Sequence, residues 1–181
     1  MRAHYTIGLK THLMLQAARP EVVLEVGAQN GGNTRQLLSA AEELGFRLIT
    51  IDDNPCPKDL VDTEVEWIEG LSFLEIPKLE DESIHFCFID TDHNSWTVTK
   101  EIKELKPKIG KDGVVIFHDT SVYHNTNGIS GAYACSYSYP HEDIKSDPRG
   151  YGEAIEEELS NWSCIATTEV SCGAQAYRRP A

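Results

Sequence analysis

Residues 22–34 read VVLEVGAQNGGNT, and this stretch decides the fold. Its first five residues are apolar apart from Glu25, as in a buried strand, and Gly27, Gly31 and Gly32 then predict a turn that opens a helix. Glycine lets a backbone approach a bound group closely, and the first amides of a helix have no intrahelical partner. A strand, a glycine-rich turn and a helix in this order predict a ligand site.

Strands and helices alternate along the chain. Nearly continuous apolar runs such as IHFCFI at residues 84–89 are typical of a parallel sheet covered by helices on both faces. The periodicity predicts strands at residues 22–26, 46–51, 65–68, 84–89 and 114–117, and helices at residues 9–18, 34–44, 96–105 and 153–159. Residues 110–113 predict a turn, and residues 163–168 and 174–178 predict a closing antiparallel hairpin. We therefore expect an α/β fold with a doubly wound, Rossmann-like sheet, mostly parallel with an antiparallel C-terminal hairpin.

The length predicts one domain over residues 1–181, because 181 residues bury a core but fall short of the length at which chains divide. Residues 120–150 mix aromatic, small and polar side chains without periodicity, and we interpret them as a substrate-loop insert. Tyr123, His124 and Tyr151 are candidate lid residues. An interface or a disordered insert is the alternative interpretation.

Charge and composition argue against several functions. The net charge of −13 disfavours nucleic-acid binding, since phosphates attract clustered Lys and Arg. The basic run from Lys100 to Lys111 is interleaved with Glu101 and Glu104, which predicts a solvated helix face. The chain shows no apolar run long enough to cross a bilayer, no secretion signal and no CxxC pair among its five cysteines. We expect a cytoplasmic protein without a nucleic-acid or membrane partner.

Polar residues cluster where the predicted strands end. Asp52 ends the second strand, residues 90–93 (DTDH) follow the fourth, and residues 118–120 (HDT) follow the fifth. In an open α/β sheet, ligands bind outside the carboxyl ends of the strands. Because buried polar groups need partners, this grouping predicts a binding site rather than packing alone.

Two acidic residues indicate which ligand is accepted by the turn at residues 27–34, which we call the glycine turn. Asp52 lies twenty residues after Gly32, where a carboxylate accepts hydrogen bonds from both ribose hydroxyls. A dinucleotide site favours GxGxxG for its pyrophosphate, whereas this turn reads GxxxGG. Glu25, before the turn, repels a phosphate and attracts an ammonium group. S-adenosylmethionine carries ribose, adenine and ammonium groups but no phosphate, so the pattern favours it over a dinucleotide.

Three segments of the first half resemble a known family. Residues 25–34 (EVGAQNGGNT) resemble motif I of the class I S-adenosylmethionine-dependent methyltransferases, and Ile51-Asp52 resembles their ribose-binding acidic position. Residues 69–72 (EGLS) resemble the segment that lies beside the adenine in that family. The resemblance implies that the methyl donor contacts Glu25, Gly27, Gly31, Asn33, Thr34, Asp52, Ser72 and Asp90.

Two later segments resemble one branch of that family. Residues 88–93 (FIDTDH) and 113–120 (GVVIFHDT) are similar to the "IDxDH" and "GG-hydrophobic-HD" signatures of a small-molecule branch that includes sugar O-methyltransferases and cephalosporin hydroxylase-like proteins. The resemblance covers roughly residues 22–120. It implies the class I methyltransferase fold and methylation of an oxygen on a small hydroxylated molecule, with a sugar as one candidate.

Two aspartates are the candidate centre of the chemistry. Asp90 and Asp119 end strands expected to be neighbours, about 4.8 Å apart, so their carboxylates can share a divalent cation. In one arrangement they bind Mg²⁺ or a similar ion with Asp92 or His118, and His93 takes the acceptor's proton. In the other arrangement there is no metal, and His93 or His118 is the base, oriented by an aspartate.

Two of these residues have a structural alternative. Asp92 is also a candidate cap of the following helix, and His118 a candidate hydrogen-bonded core histidine. Relatives that resemble catechol methyltransferases have asparagine after the second aspartate, where this chain has Thr120. The arrangements with and without a metal therefore both stay open.

Three functions follow from these residues. The leading hypothesis is an S-adenosylmethionine-dependent O-methyltransferase whose partner is a small-molecule substrate. A metal-dependent hydrolase or hydroxylase-like enzyme on the same fold is the second, and a non-catalytic adenosyl-binding module is the third. The sequence leaves a homo-oligomer open.

Overall fold

A computed structural model describes residues 11–120, 149–168 and 173–181. Residues 11–18 form helix α1. The elements that follow are β1 (Val22–Val26), α2 (Gly32–Leu44), β2 (Arg47–Asp52), β3 (Val65–Glu69), α3 (Ser72–Glu75) with a 3-10 turn (Ile76–Lys78), β4 (Ile84–Ile89), α4 (Ser95–Leu105), β5 (Ile109–His118), α5 (Tyr151–Glu158), β6 (Ser163–Thr168) and β7 (Ala174–Arg178). In these ranges, no helix is both long and apolar enough to span a membrane.

The strands form one seven-stranded sheet in the order β3-β2-β1-β4-β5-β7-β6. Strands β1 to β5 pair in parallel, and β7 pairs antiparallel with both β5 and β6. The predicted doubly wound, mostly parallel sheet with an antiparallel C-terminal hairpin is thus confirmed. The chain leaves β1 toward β2 on one side and returns to β4 on the other, so the carboxyl ends of β1 and β4 form the switch point where such sheets bind ligands.

Apolar side chains fill both faces of the sheet. Along β1, Leu24 belongs to one buried cluster together with Ile102 of α4 and Ile155 of α5, whereas Val23 belongs to another with Leu37 of α2. Successive strand residues point to opposite faces, so one apolar strand supplies both clusters. Full burial of such a side chain is worth about 1.5–3 kcal/mol, and this term holds the helices against the sheet.

The structure corrects the prediction of a turn at residues 110–113. Residues 110–113 do not form a turn between elements but lie inside β5, which begins at Ile109. Ile84 pairs with Ile109, whereas Phe86 already pairs with Val114, so β5 carries extra residues opposite β4. A bulge absorbs them, and it includes a positive φ of 59° at Asp112.

Two other predictions fall wholly or partly outside the described ranges. The leading helix was expected from residue 9, and its residues 11–18 are helical. Most of the insert at 120–150, with the lid candidates Tyr123 and His124, lies outside the ranges that the structure describes.

The turn after β1 lies directly against the end of β4. Gly27 adopts a φ of +82°, and a Cβ built on it would be 2.2 Å from the carbonyl oxygen of Asp90. Gly27 donates its amide hydrogen to the carbonyl of Ile51, and Asp90 donates its own to the carbonyl of Val26, both at 2.9 Å. The absent side chain therefore lets three strand ends meet at one point.

We expect Gly27→Ala to lower the free energy of unfolding by about 3 kcal/mol or more, because a positive φ and a clash with backbone add up there. Gly45→Ala is the matched control, since Gly45 has a φ of +79° but no atom within 4 Å of the built Cβ. Gly45→Ala should lower the free energy of unfolding by only about 1–2 kcal/mol. Urea unfolding of both variants measures the difference, and equal losses would contradict the close approach.

Candidate active site

Glu25, in β1, holds the glycine turn in place by hydrogen bonds. Its side chain is fully buried in β1. The carboxylate accepts hydrogen bonds from Asn33 Nδ2 at 2.9 Å, from Thr34 Oγ1 at 2.6 Å and from Thr50 Oγ1 at 3.0 Å. Burial raises the pKa of Glu25 to about 7, although these three hydrogen bonds oppose the rise. The structure thus links Glu25, Asn33 and Thr34, three predicted donor-site residues, in one buried network.

The first turn of α2 faces the edge of the sheet with open amides. Gly31 precedes the helix with a φ of 76°, and no described side chain caps that helix end. A Cβ on Gly31 would lie 2.8 Å from Leu60 Cδ1, so the Leu60 side chain would have to shift to admit any other residue. Uncapped amides at a helix N-terminus attract anionic groups.

Asp52 holds the outer side of the same turn. It is 6% exposed at the end of β2. Its Oδ2 accepts hydrogen bonds from the amides of Ala28 at 2.6 Å and Gln29 at 2.7 Å, and its Oδ1 accepts two from Asn54 at 2.8 Å. The structure places Asp52 beside the turn, as the sequence predicted, and shows that it shapes the turn itself. Its contact with a ribose stays a prediction.

Ser72 begins α3 on the segment that follows β3. This segment is tied to the end of β2, because the amide of Gly70 donates to the carbonyl of Asp52 at 2.8 Å. The neighbouring Phe73 packs edge-on against Trp96 of α4, with ring centroids 5.4 Å apart. Ser72 therefore lies at the same sheet edge as Asp52, beside an aromatic pair.

Glu101 corrects the prediction of a solvated helix face. It is fully buried in α4, where Ser72 Oγ donates to its Oε1 at 2.5 Å and Thr91 Oγ1 to its Oε2 at 3.2 Å. Burial raises the pKa of Glu101 to about 8, and the nearby charge of Asp92 adds to the rise. The spacing held a signal for this position, because Glu101 lies three residues after the buried Val98, on the apolar stripe of the helix.

Four predicted catalytic residues converge at the ends of β4 and β5. Asp90, His93, His118 and Asp119 each offer one ligand atom, and these atoms lie within 4.8 Å of one another. His93 Nε2 is 3.1 Å from Asp90 Oδ1 and 3.4 Å from Asp119 Oδ2. His118 Nδ1 is 3.3 Å from Asp90 Oδ1 and 2.9 Å from Asp119 Oδ1. We call these four residues the Asp-His cluster.

The backbone of the Asp-His cluster is held in an uncommon conformation. His93 has a φ of 54° and Asp119 a φ of 57°, in the left-handed region that non-glycine residues seldom adopt. Such strain persists only where surrounding structure imposes it, and it is frequent at functional sites. Both conformations turn a polar side chain toward the other members of the cluster.

The charges within the Asp-His cluster shift its proton equilibria. Burial alone raises the pKa of Asp90, but His118 and His93 outweigh it and hold that pKa below its usual value. Burial lowers the pKa of His118, but the carboxylates of Asp119 and Asp90 outweigh it and raise that pKa to about 10. By themselves, the side chains therefore place the ionised carboxylate of Asp90 beside the charged imidazole of His118.

The Asp-His cluster fits a divalent cation. Although His118 Nδ1 and Asp119 Oδ1 approach at 2.9 Å, they are not aligned for a hydrogen bond, and neither buried atom has a hydrogen-bond partner among the described residues. Buried polar atoms seldom lack a hydrogen bond, so two adjacent atoms that pair only by charge indicate a place where a ligand can bind. A set of ligands that combines carboxylate oxygens with imidazole nitrogens suits Mn²⁺ or Zn²⁺ better than Mg²⁺, which prefers oxygen ligands.

Asp92 lies outside the Asp-His cluster. Its carboxylate accepts hydrogen bonds from the amide of Asn94 at 3.1 Å and from Thr97 Oγ1 at 2.9 Å. Asn94, rather than Asp92, caps α4, because its side chain accepts from the amides of Trp96 and Thr97. The structure thus turns Asp92 toward the start of α4 and does not bring it to the other predicted metal ligands.

Tyr151 contacts the Asp-His cluster from α5. Its ring is fully buried and packs edge-on against His93, with centroids 5.3 Å apart. Its hydroxyl has no hydrogen-bond partner in the described part of the chain. The sequence indicated Tyr151 only as a lid candidate, whereas its described contact is with the ring of a predicted base.

One family profile matches the chain. A family described as a methyltransferase domain matches residues 24–120, more than half of the chain. No curated protein sequence matches the chain.

Solved structures share the fold at low identity. A Podospora anserina methyltransferase bound to SAH is 15% identical with a TM-score of 0.68, over 96% of this chain and 78% of that one. A Bacillus cereus O-methyltransferase in complex with SAH is 20% identical with a TM-score of 0.62, over 96% and 81%. A Streptomyces achromogenes O-methyltransferase involved in tomaymycin synthesis, in complex with SAM, is 17% identical with a TM-score of 0.63, over 97% and 80%. At these identities the likeness shows the fold.

We expect Glu101→Gln to reduce the pH dependence of stability. The folded pKa of about 8 exceeds the ordinary value of 4.5, so between these pH values the unfolded chain has lost a proton that the folded chain keeps. Stability then falls as the pH rises, by at most about 1.4 kcal/mol per pH unit from this group. Glutamine does not titrate and should remove that slope.

Urea unfolding at pH 5 to 8 measures this effect, with Glu104→Gln on the same helix as control, because Glu104 is only partly buried. The control should keep the slope of the unmodified chain. An unchanged slope in Glu101→Gln would mean that Glu101 is ionised in the folded protein at pH 5.

Proposed function

The chain belongs to the methyltransferase-domain family, and from this we propose that it transfers a methyl group from S-adenosylmethionine to a hydroxyl oxygen of a small molecule. The observation that carries the proposal is the Asp-His cluster, which lies at the sheet edge beside the glycine turn. A methyl acceptor with a hydroxyl group needs a proton acceptor there, and this cluster supplies one. A sugar is one candidate acceptor.

The glycine turn and its neighbours are the proposed donor site. Asp52 lies where a ribose is expected, and the open amides of α2 suit the carboxylate of the donor's amino-acid part. Gly27, Gly31, Asn33 and Thr34 form the turn against which that part would lie, with Glu25 holding the turn from below. Two O-methyltransferases that share the fold hold SAH or SAM, which supports this assignment.

Methyl transfer is a displacement in which one bond breaks as another forms. When bound, S-adenosylmethionine supplies a methyl group on a sulfonium and leaves as the neutral thioether S-adenosylhomocysteine. The acceptor oxygen gains the carbon and loses its proton, which we assign to the His93 imidazole. Because Nε2 donates its hydrogen to Asp90 Oδ1 at 3.1 Å, Nδ1 is the nitrogen that can accept the proton. The carboxylates of Asp90 and Asp119, the latter 3.4 Å from Nε2, then stabilise the charged imidazole.

Three residues of the Asp-His cluster are the proposed ligands of a divalent cation. Asp90, Asp119 and His118 would hold it, because His118 Nδ1 and Asp119 Oδ1 are buried without hydrogen-bond partners. When bound, such a cation would lower the pKa of the acceptor hydroxyl. His93 is left as the base, since Asp90 orients it by a hydrogen bond. Tyr151 supports the ring of His93 by edge-on packing.

Calorimetry with S-adenosylmethionine tests the donor site. We expect the unmodified chain to bind it and Asp52→Asn to weaken binding about tenfold or more, because a charged acceptor is worth about 1.5–3 kcal/mol to a hydrogen bond. Asp53→Asn is the control, since the neighbouring Asp53 is exposed, and should change affinity less than about twofold. Absence of binding to the unmodified chain would refute the donor assignment.

Transfer of a labelled methyl group separates the three functions. An O-methyltransferase places the label on a hydroxylated acceptor, and His93→Ala should reduce that rate about 10²–10⁴-fold. A hydrolase or hydroxylase-like enzyme turns over its substrate without the donor. A non-catalytic module binds the donor but never yields labelled product, and that outcome would contradict the proposal.

Titration with Mn²⁺ tests the cation site. We expect one ion to bind, and Asp119→Asn or His118→Ala to abolish binding at concentrations that saturate the unmodified chain, because each removes a ligand. Asp92→Asn is the matched control, since its carboxylate is turned toward Asn94 and Thr97. Equal loss in the control would show that the binding is general attraction to an acidic surface.

A further inference from the structure

A buried carboxyl group lies between two segments of the donor site and takes no part in the proposed chemistry. Glu101 is fully buried, and its two oxygens have separate partners. Oε1 accepts from Ser72 at 2.5 Å, on the segment after β3, and Oε2 accepts from Thr91 at 3.2 Å, on the segment after β4. A buried carboxyl is expensive to retain, so a group with this placement requires a physical reason.

The partner Ser72 lies where an adenine is expected. The proposed ribose contact, Asp52, pairs in register with Glu69, and Ser72 follows only three residues later. Because β3 lies outside β2 in the sheet, a ligand that extends from the end of β2 reaches the segment after β3 next. Phe73 and Trp96, in edge-on contact, place apolar ring surface beside it.

The hydrogen bond to Glu101 determines what the Ser72 hydroxyl can offer a ligand. A serine hydroxyl has one hydrogen to donate and two lone pairs that accept. Ser72 donates its hydrogen to Oε1, at a distance typical of a strong hydrogen bond to a carboxyl oxygen. If Glu101 carries a proton, the inference requires that proton on Oε2, toward Thr91, so that Oε1 still accepts from Ser72. With the proton on Oε2 or lost, only lone pairs of Ser72 remain for a ligand.

We propose that Glu101 is a positioning residue that fixes the Ser72 hydroxyl as a hydrogen-bond acceptor for the 6-amino group of the donor's adenine. The site thereby selects a 6-aminopurine over a 6-oxopurine, whose oxygen would face the lone pairs of Ser72. This inference rests on the proposed donor site and adds the origin of its base specificity.

The discriminating probes are S-adenosylhomocysteine and its inosine analogue, whose purines carry an amino donor at position 6 in the first and an oxo acceptor at position 6, with a hydrogen on N1, in the second. For the unmodified chain we expect the adenine compound to bind at least about tenfold more tightly, since the 6-oxo group would place an oxygen against the lone pairs of Ser72 without a hydrogen bond. Ser72→Ala removes the acceptor and should reduce the ratio of the two dissociation constants below about threefold.

Variants of Glu101 test whether it acts through Ser72. Glu101→Gln should keep the preference, because its carbonyl oxygen can accept from Ser72 while its amide donates to Thr91. Glu101→Met should lose the preference, since the released hydroxyl can rotate and donate to a 6-oxo group. The double variant Ser72→Ala/Glu101→Met should show the same ratio as Ser72→Ala, as expected for residues that act as one unit.

A purely structural role would lower affinity for both probes equally and leave their ratio unchanged. A Glu101→Met chain that keeps the full preference would overturn the inference. Should this variant not fold, Glu101→Asp withdraws the carboxyl by one methylene and carries the same expectation. An unmodified chain that binds both probes alike refutes only the inference, whereas one that binds neither refutes the donor site itself.

Discussion

The site depends on the contact between the glycine turn and the end of β4. Gly27 lies so close to the carbonyl of Asp90 that a Cβ would be 2.2 Å from its oxygen. This approach fixes the distance between the proposed donor site, built on the turn, and the Asp-His cluster, which begins at Asp90 itself. Because methyl transfer requires donor and acceptor in line, a fixed distance between these regions is the main contribution that the scaffold makes to the chemistry.

Buried carboxyl groups brace this arrangement from three directions. Glu25 holds the turn from β1, Asp52 holds it from β2, and Glu101 joins the segments after β3 and β4. Each of these carboxyl groups accepts hydrogen bonds from residues outside its own strand or helix. These bonds offset part of the free energy that is lost when the carboxyl group is removed from water.

The fold and much of the site were predictable because the central strands β1 and β4 are nearly continuous apolar runs and because strands alternate with helices. β1, β4, β6 and β7 have the predicted bounds, and the polar residues that follow β4 and β5 come together as expected. Glu101 was misjudged because its lysine neighbours suggest a solvated face, although its spacing from Val98 places it on the buried stripe. The bulge in β5 was missed because glycines flanking Lys and Asp are equally typical of a turn.

By itself, the sequence determined the α/β class, the order of strands and helices, and the residues at the carboxyl edge of the sheet. These follow from apolar periodicity and glycine positions, which act over a few neighbouring residues. Only the tertiary structure decided that His93 lies beside Asp119 and His118 beside Asp90. It also decided that the side chain of Asp92 points to the start of α4 and that of Glu101 to Ser72. The direction of a loop side chain depends on backbone angles such as the positive φ of His93, which contacts distant in sequence impose.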